Sequence, residues 1–254
     1  MNRIITTLFT LFIIQLLVVK KTYSNEVEVK DCFENLNRAT FALNMGLDKV
    51  IFKPISKGYR KLPSPIRTGT GNALNNLSNL ITIPNNILQG DFGSAANNSA
   101  RLLINTTLGI AGIFDPANSF GFEKREKEDF GQTPGLMGVG EGCYLVLPVL
   151  GPSTVRDTVG SLVSISGGDA WYNVTVKNDT NYVNESDYYF SKGLSGVDFR
   201  AKNLEAYDAI EKNSVDLYAT VRSLYLQDRK KKISNSNVKT DTMEDGDWDT
   251  LENQ

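Results

Sequence analysis

Histidine does not occur anywhere in this 254-residue chain, and that absence decides much of what its side chains can do chemically. It removes the commonest general base and the usual ligand of zinc, copper and iron, and with it serine–histidine and cysteine–histidine catalysis. Cys32 and Cys143 are the two thiols. No turn of the kind that presents a nucleophile surrounds Cys143, so a hydrolase built on it, or on a serine–lysine pair, has little support. Residues 123–129, Glu-Lys-Arg-Glu-Lys-Glu-Asp, alternate in sign and read as a solvated face rather than a pair of working carboxylates. Gly138-Val139-Gly140-Glu141-Gly142 lacks the spacing and the strand-to-helix setting of a dinucleotide loop, and no lysine follows where a nucleotide phosphate would need one. These residues point away from an enzyme, a metal centre and a bound cofactor.

The ends of the chain frame the rest. Ile4 to Val19 is an apolar run preceded by Arg3, closed by Lys20 and Lys21 and followed by Thr22-Tyr23-Ser24, the layout of a signal peptide cleaved after Ser24. The run is shorter than the roughly 20 residues a bilayer-spanning helix needs. Cleavage would remove three basic residues and no acid, moving the balance from 27 against 29 to 24 against 29, a net charge of −5. Such an excess of acid speaks against nucleic acid as a partner. In an oxidising compartment the two cysteines can close one disulfide or lie buried as inert thiols. The division expected is a signal peptide over 1–24, one helical domain over 25–232 and a disordered acidic tail over 233–254.

Between those ends the apolar spacing is mostly helical. From Asp31 to Leu62 the residues Phe33, Leu36, Phe41, Leu43, Leu47, Val50 and Ile51 recur at three- and four-residue intervals, with Pro54 and Pro63 as breakers. The stretch after Pro65 predicts a helix, a break near Pro84 and a short helix capped by Gly90. Ser99 to Phe114 carries Leu102, Leu103, Leu108, Ile110, Ile113 and Phe114 with Gly109 and Gly112 among them. It reads either as a buried core helix or as a segment that dips into one membrane leaflet, being too short to span one. Gly131 to Gly151 holds six glycines and two prolines, a density that predicts irregular backbone with close approaches. Residues 166–195 read as a loop-rich insertion, and its Asn173-Val174-Thr175 triplet as chance in an asparagine-rich chain. Phe199 to Leu226 returns to helical spacing with a break near Asn213-Ser214. Arg229 to Lys232 form a basic cluster that either completes a helix C-terminus or meets anionic lipid headgroups.

Four stretches together resemble the MlaA (VacJ) family of outer-membrane phospholipid transport proteins, and they span Asp31 to about Arg229. The first is Asp31-Cys32-Phe33-Glu34-Asn35-Leu36-Asn37-Arg38-Ala39-Thr40-Phe41. The second runs from Ala100-Arg101 through Asn105-Thr106, Gly109 and Gly112 to Asp115-Pro116-Ala117. The third, and most specific, runs from Glu128-Asp129-Phe130-Gly131-Gln132-Thr133 through Gly138-Val139-Gly140-Glu141-Gly142 to Leu147-Pro148-Val149-Leu150-Gly151-Pro152-Ser153-Thr154-Val155-Arg156-Asp157. The fourth is Leu217 to Arg229.

The resemblance implies a mainly α, ring-like single domain lying in the periplasmic leaflet of the outer membrane. An amphipathic channel would take misplaced phospholipid toward a periplasmic lipid-carrier protein, beside a trimeric porin. On that footing Gly131, Gly135, Leu136, Gly138, Gly140, Gly142 and Tyr144 are the candidates for the lipid path, unless the glycines only form tight turns. Leu102, Leu103, Leu108, Ile110, Ile113 and Phe114 are the candidates for membrane contact. Asn37, Arg38, Asn105, Asp115, Arg156 and Asp157 match polar family positions, and buried hydrogen bonds that hold helices together account for each. Asn25 stands where family members commonly carry a lipid-bearing cysteine. Cys32 and Cys143 each replace a usual proline, a paired change that suggests the two motifs are neighbours bridged by a disulfide. A periplasmic scaffold without lipid is the alternative reading.

Overall fold

The computed structural model describes residues 29–177 and 183–234. The signal-peptide segment, Asn25 and residues 235–254 of the acidic tail lie outside them. The described residues open with α1 (Glu34–Leu47), pass through a π-turn at Asp48–Phe52 and continue as α2 (Lys53–Arg60). Pro54 therefore does not break the helix as its type predicts. The five-residue spacing of the π-turn, in which Lys53 N–H donates to Asp48 O, shifts the carbonyl ladder where proline offers no N–H.

Helix α3 (Ser64–Leu88) is one 25-residue rod, about 37 Å long, and not the two pieces the sequence suggests. It runs through Pro84, which offers no N–H to the Leu80 carbonyl, and side chains add bonds to the neighbouring carbonyls. Thr82 Oγ1 donates to Ser78 O at 3.2 Å, and Asn85 Nδ2 to Ile81 O at 2.8 Å. Packing along α4 (Phe92–Thr107) supports the same stretch. Gly90, with φ +78°, ends α3 as expected, and Asp91 caps α4 by accepting from Ser94 N–H.

A short α5 (Pro116–Ser119) and an extended strap lead to α6 (Gln132–Leu136). Then comes a hairpin of β1 (Tyr144–Leu147) and β2 (Gly151–Thr154), antiparallel with Tyr144 opposite Thr154, which the glycine density hid. Helix α7 (Val155–Val163) follows, capped by Thr154, and then α8 (Ala170–Tyr172). The predicted loop-rich insertion is largely helical, because α9 (Glu185–Lys202) starts at a capping box formed by Asn184 and Asp187. The chain breaks after Asn213 between α10 (Leu204–Asn213) and α11 (Leu217–Ser234), so the last helix covers the first two residues of the expected tail.

Contacts close these elements into a circuit. Helix α1 packs on β1, β2 on α11, α11 on α6, α2 on α9, and α9 on α3. Hydrogen bonds complete the turn from α3 to α6: Gln89 Nε2 donates to Thr133 Oγ1 at 3.1 Å and Thr133 Oγ1 to Asn85 Oδ1 at 2.6 Å. Close approach of backbone fixes one corner. A Cβ on Gly160 would sit 2.6 Å from the Phe130 carbonyl carbon, whereas one on Gly140 would meet nothing within 4 Å. Gly160→Ala is therefore expected to cost about 1–3 kcal/mol and Gly140→Ala far less, compared by urea midpoints.

The interior is unusual in kind. Among the described residues eight apolar side chains are buried against twenty-one polar or charged ones, while more than thirty large apolar side chains are exposed. Among the described residues Tyr144, Val146 and Tyr218 form an apolar cluster, with Phe41, Tyr225 and Leu226 packed around them. Tyr144 is fully buried, edge-on to the Tyr218 and Tyr225 rings. Its expected place on a lipid path is thereby corrected, since a ring that closes the core has no face left for a ligand.

Candidate functional site

The polar motif residues form the joints of the circuit. Asn37 acts as one more strand beside β1: its Nδ2 donates to Tyr144 O at 3.0 Å and to Asp31 Oδ1 at 2.7 Å, and its Oδ1 accepts from Val146 N–H at 2.9 Å. Asn44, two turns on, repeats this with Leu147 O and Val149 N–H at 2.9 and 2.8 Å. Nothing in the residue spacing marks Asn44, because its role depends on a hairpin a hundred residues away. Arg38 reaches Asp216 with both guanidinium nitrogens and lies over the Tyr218 ring. The disulfide Cys32–Cys143, with Cα atoms 5.6 Å apart, ties the start of α1 to β1 at the same joint.

A second joint turns the chain after α4. Arg101 Nη2 donates to both Asp115 carboxylate oxygens at 2.9 and 2.8 Å. Asn105 Nδ2 donates to Asp115 Oδ1, and Asn105 Oδ1 accepts from Ala117 N–H. These bonds hold a tight loop whose own backbone is satisfied: Gly112 N–H donates to Asn105 O and Phe114 N–H to Gly109 O. A Cβ on Gly112 would lie 2.6 Å from Asn76 Cβ, so the loop is pressed on α3. Ile110 and Ala111 adopt φ +51° and +56°, a left-handed backbone that β-branched residues rarely tolerate.

The consequence is a fully bonded polar base that throws its apolar side chains outward. Leu103, Leu108, Ile110, Ile113 and Phe114 are exposed, and Leu102 is half-buried. The buried-core reading of Ser99 to Phe114 is overturned: α4 buries Asn98, Arg101 and Asn105 instead.

The third joint is ionic. Arg229, on α11, donates to Asp129 Oδ2 and Asp157 Oδ1, both at 2.7 Å, while Tyr225 OH donates to Asp157 Oδ2 at 2.6 Å. Arg156 is buried beside them, its Nη1 donating to Val139 O and its Nε to Asp157 Oδ1. Arg229 is thus neither a free helix-end charge nor a headgroup contact, as its place in a basic run suggests. Asp129 and the buried Glu128, which accepts from Gln89 at 2.8 Å, likewise correct the reading of 123–129 as one solvated face.

Burial pushes the Asp129 carboxyl up, but the Arg229 guanidinium outweighs it and holds the group at about 2. The ordinary value is about 3.9, so the pairing stabilises the fold above about pH 4 and is lost as pH falls through 2. Asp129→Asn is expected to flatten the loss of stability between pH 5 and 2, read as urea midpoints against pH.

Beside this joint opens a cleft of about 310 Å³, lined by Asp129, Asp157 and Arg229 together with Phe130, Leu147 and Leu150. The cleft is amphipathic, but the candidate glycines do not line it. Gly131 and Gly135 are approach points, where a Cβ would meet Asp157 and Arg229 in one case and Ile233 and Arg156 in the other. Gly138 and Gly142 take positive φ in exposed turns, Gly140 is exposed without a neighbour, and Leu136 is half-buried on α6. What sequence reasoning missed is that the residues flanking the glycines, Phe130, Leu147 and Leu150, carry the apolar surface.

No helix of the described residues is long and apolar enough to cross a membrane. The MlaA lipoprotein family model matches residues 29–232. Two relatives bear the name intermembrane phospholipid transport system lipoprotein MlaA. That of Escherichia coli (strain K12) is 32% identical over 204 residues, covering 78% of this chain and 76% of the relative. That of Haemophilus influenzae is 29% identical over 214 residues, 83% of this chain and 82% of the relative. An uncharacterized protein of Rickettsia prowazekii (strain Madrid E) is 33% identical over 199 residues, 78% and 75% of the two chains. A solved structure described as the structural basis for maintenance of bacterial outer membrane lipid asymmetry superposes with a TM-score of 0.67. It is 29% identical and covers 80% of this chain and 99% of that one. With polar joints inside, apolar side chains outside and a family match over nearly all the described residues, this chain belongs to the MlaA family.

Proposed function

We propose that this chain carries phospholipid between membranes, removing misplaced phospholipid from the outer leaflet of the outer membrane toward a periplasmic lipid-carrier protein and so maintaining lipid asymmetry. The observation that supports it is the reversed burial: polar side chains join the helices while large apolar ones face outward. In water that arrangement would expose a large apolar surface at high cost, about 25 cal/mol per Å². Among acyl chains the same surface costs nothing and polar contacts become the glue between helices.

With no described helix both long and apolar enough to cross, the protein would lie in one leaflet, on the periplasmic side, with Leu108, Ile110, Ile113 and Phe114 inserted. Export would use residues 1–24 as a cleaved signal peptide, and a trimeric porin would be the membrane partner. The amphipathic cleft between Phe130, Leu150 and Arg229 is the piece of lipid path we assign, with the acyl chain along the leucines.

The test is phospholipid exposed on intact cells of the source bacterium, labelled at the headgroup, with and without the gene. Deletion is expected to raise it and the intact gene to restore it. An unchanged level, with the protein present in wild-type membranes, would favour a lipid-free scaffold.

A further inference from the structure

The strap between α5 and α6 carries Lys124, Arg125 and Lys127 against the flank of α3. Its backbone is fixed from both sides: Asn97 Nδ2 donates to Glu123 O at 2.8 Å and Gln132 Nε2 to Lys127 O at 3.0 Å. Arg101 holds the Phe122 carbonyl, and Lys127 Nζ donates to Asn75 Oδ1. Facing the strap, Asn72, Asn75 and Asn79 stand at i, i+3 and i+7, one stripe of α3. Together they line a half-open cavity of about 80 Å³. A space of that size admits a small polar group rather than an acyl chain.

The charges there do not cancel. Lys124 and Arg125 make no ion pair among the described residues. The acids nearby are committed elsewhere: Asp115 to Arg101 and Asn105, Asp198 to Lys202 and Tyr59, Glu128 to Gln89. Desolvation, with Lys202 from α9, Lys124 and Lys232 from α11 as like charges, pushes the Lys127 ammonium below the ordinary lysine range, while the Asp198 carboxylate acts against them. Among the described residues no side-chain hydrogen bond engages Asn79 or the Nδ2 group of Asn75, whereas Asn72 Nδ2 donates to Ile113 O at 3.2 Å. Asp115 and Arg101 line the same cavity but are paired with each other, which leaves a held set of three cations with open amide donors, a receptor for an oxyanion.

We infer that Lys124, Arg125 and Lys127, with Asn72, Asn75 and Asn79, form a binding site for a phosphate group. Its source is either the phosphodiester of a phospholipid headgroup, which rests on the proposed function, or free inorganic phosphate. The site is distinct from the Arg229 cleft, whose cation is already matched by two carboxylates.

The test uses the full chain purified in detergent. Inorganic phosphate and glycerophosphoglycerol are titrated separately by ³¹P NMR, and co-purified phospholipid is measured by mass spectrometry. K124Q/K127Q is expected to weaken binding of the preferred anion about tenfold or more, from two lost charge-assisted contacts. K127R is expected to keep most of the affinity. K61Q/K212Q, the same charge change at exposed lysines elsewhere, is expected to leave it unchanged.

A several-fold drop in co-purified phospholipid in K124Q/K127Q, with glycerophosphoglycerol the tighter anion, assigns the headgroup. Unchanged lipid with a tenfold loss for inorganic phosphate assigns the free ion. Equal affinity for both anions in wild type, K124Q/K127Q and K61Q/K212Q overturns the site. Wild-type protein extracted from its membrane without phospholipid counts against the transport reading alone, and the titrations still decide the site.

Discussion

Arg229→Met is expected to be the most destabilising single substitution in the protein, costing about 3–5 kcal/mol. The side chain is 8% exposed and satisfies two carboxylates on separate segments, Asp129 on the strap into α6 and Asp157 on α7. Methionine fills the space but takes from Asp157, 9% exposed, its shorter ion pair and leaves it only Arg156 at 3.3 Å, while Asp129 loses the guanidinium altogether. A carboxylate desolvated in that way costs several kcal/mol more than one never placed there. Against a typical stability of about 5–15 kcal/mol, the loss should show as a large fall in the urea midpoint and rapid proteolysis.

Two further variants separate charge from volume. Arg229→Lys keeps the charge but cannot fork to both acids, so an intermediate midpoint is expected. R229M combined with Asp129→Asn and Asp157→Asn should recover much of the loss, because the unmatched charges are gone. A wild-type midpoint for R229M alone would show that this joint does not hold α11 to α6 and α7.

Reduction of Cys32–Cys143 is expected to be of similar size. The bond closes a loop with a sequence separation of 111 residues, and the chain-entropy model assigns a loop of that length about 4–5 kcal/mol. Cys32→Ser with Cys143→Ser should lower the urea midpoint by a comparable amount in oxidising buffer, and a reducing agent should lower the wild type but not the variant. Intact mass under non-reducing conditions, two hydrogens below the reduced mass, checks the bond itself. Equal midpoints with and without reductant would mean that Asn37 and Asn44 hold α1 to the hairpin unaided.

Legibility in the sequence followed the range of the interactions. The helices α1, α4 and α11 were readable because a helix repeats its apolar residues every three or four positions, whichever way the face points. Gly90 and the break after Asn213 were readable because capping is local. Pro54 and Pro84 misled because proline's cost is local too, while its compensation, a π-turn in one case and side-chain bonds in the other, is not written in the proline. The hairpin at β1 and β2 was hidden, since two four-residue strands among glycines offer too few positions for an alternation.

The sequence by itself determined that the chain is mainly helical, that histidine chemistry is absent, and that motifs from Asp31 to Arg229 match one family. It could name Asn37, Asn105, Asp115 and Asp157 because they match polar positions of that family. Only the tertiary structure decided which side of each helix faces in. Periodicity gives a face but not its direction, and here the asparagines and arginines turn inward while Leu108, Ile110 and Phe114 turn out. Only the tertiary structure likewise brought Arg229 to Asp129 and Asp157, 100 and 72 residues away, because an ion pair is set by where the backbone carries its charges and leaves no trace in their spacing.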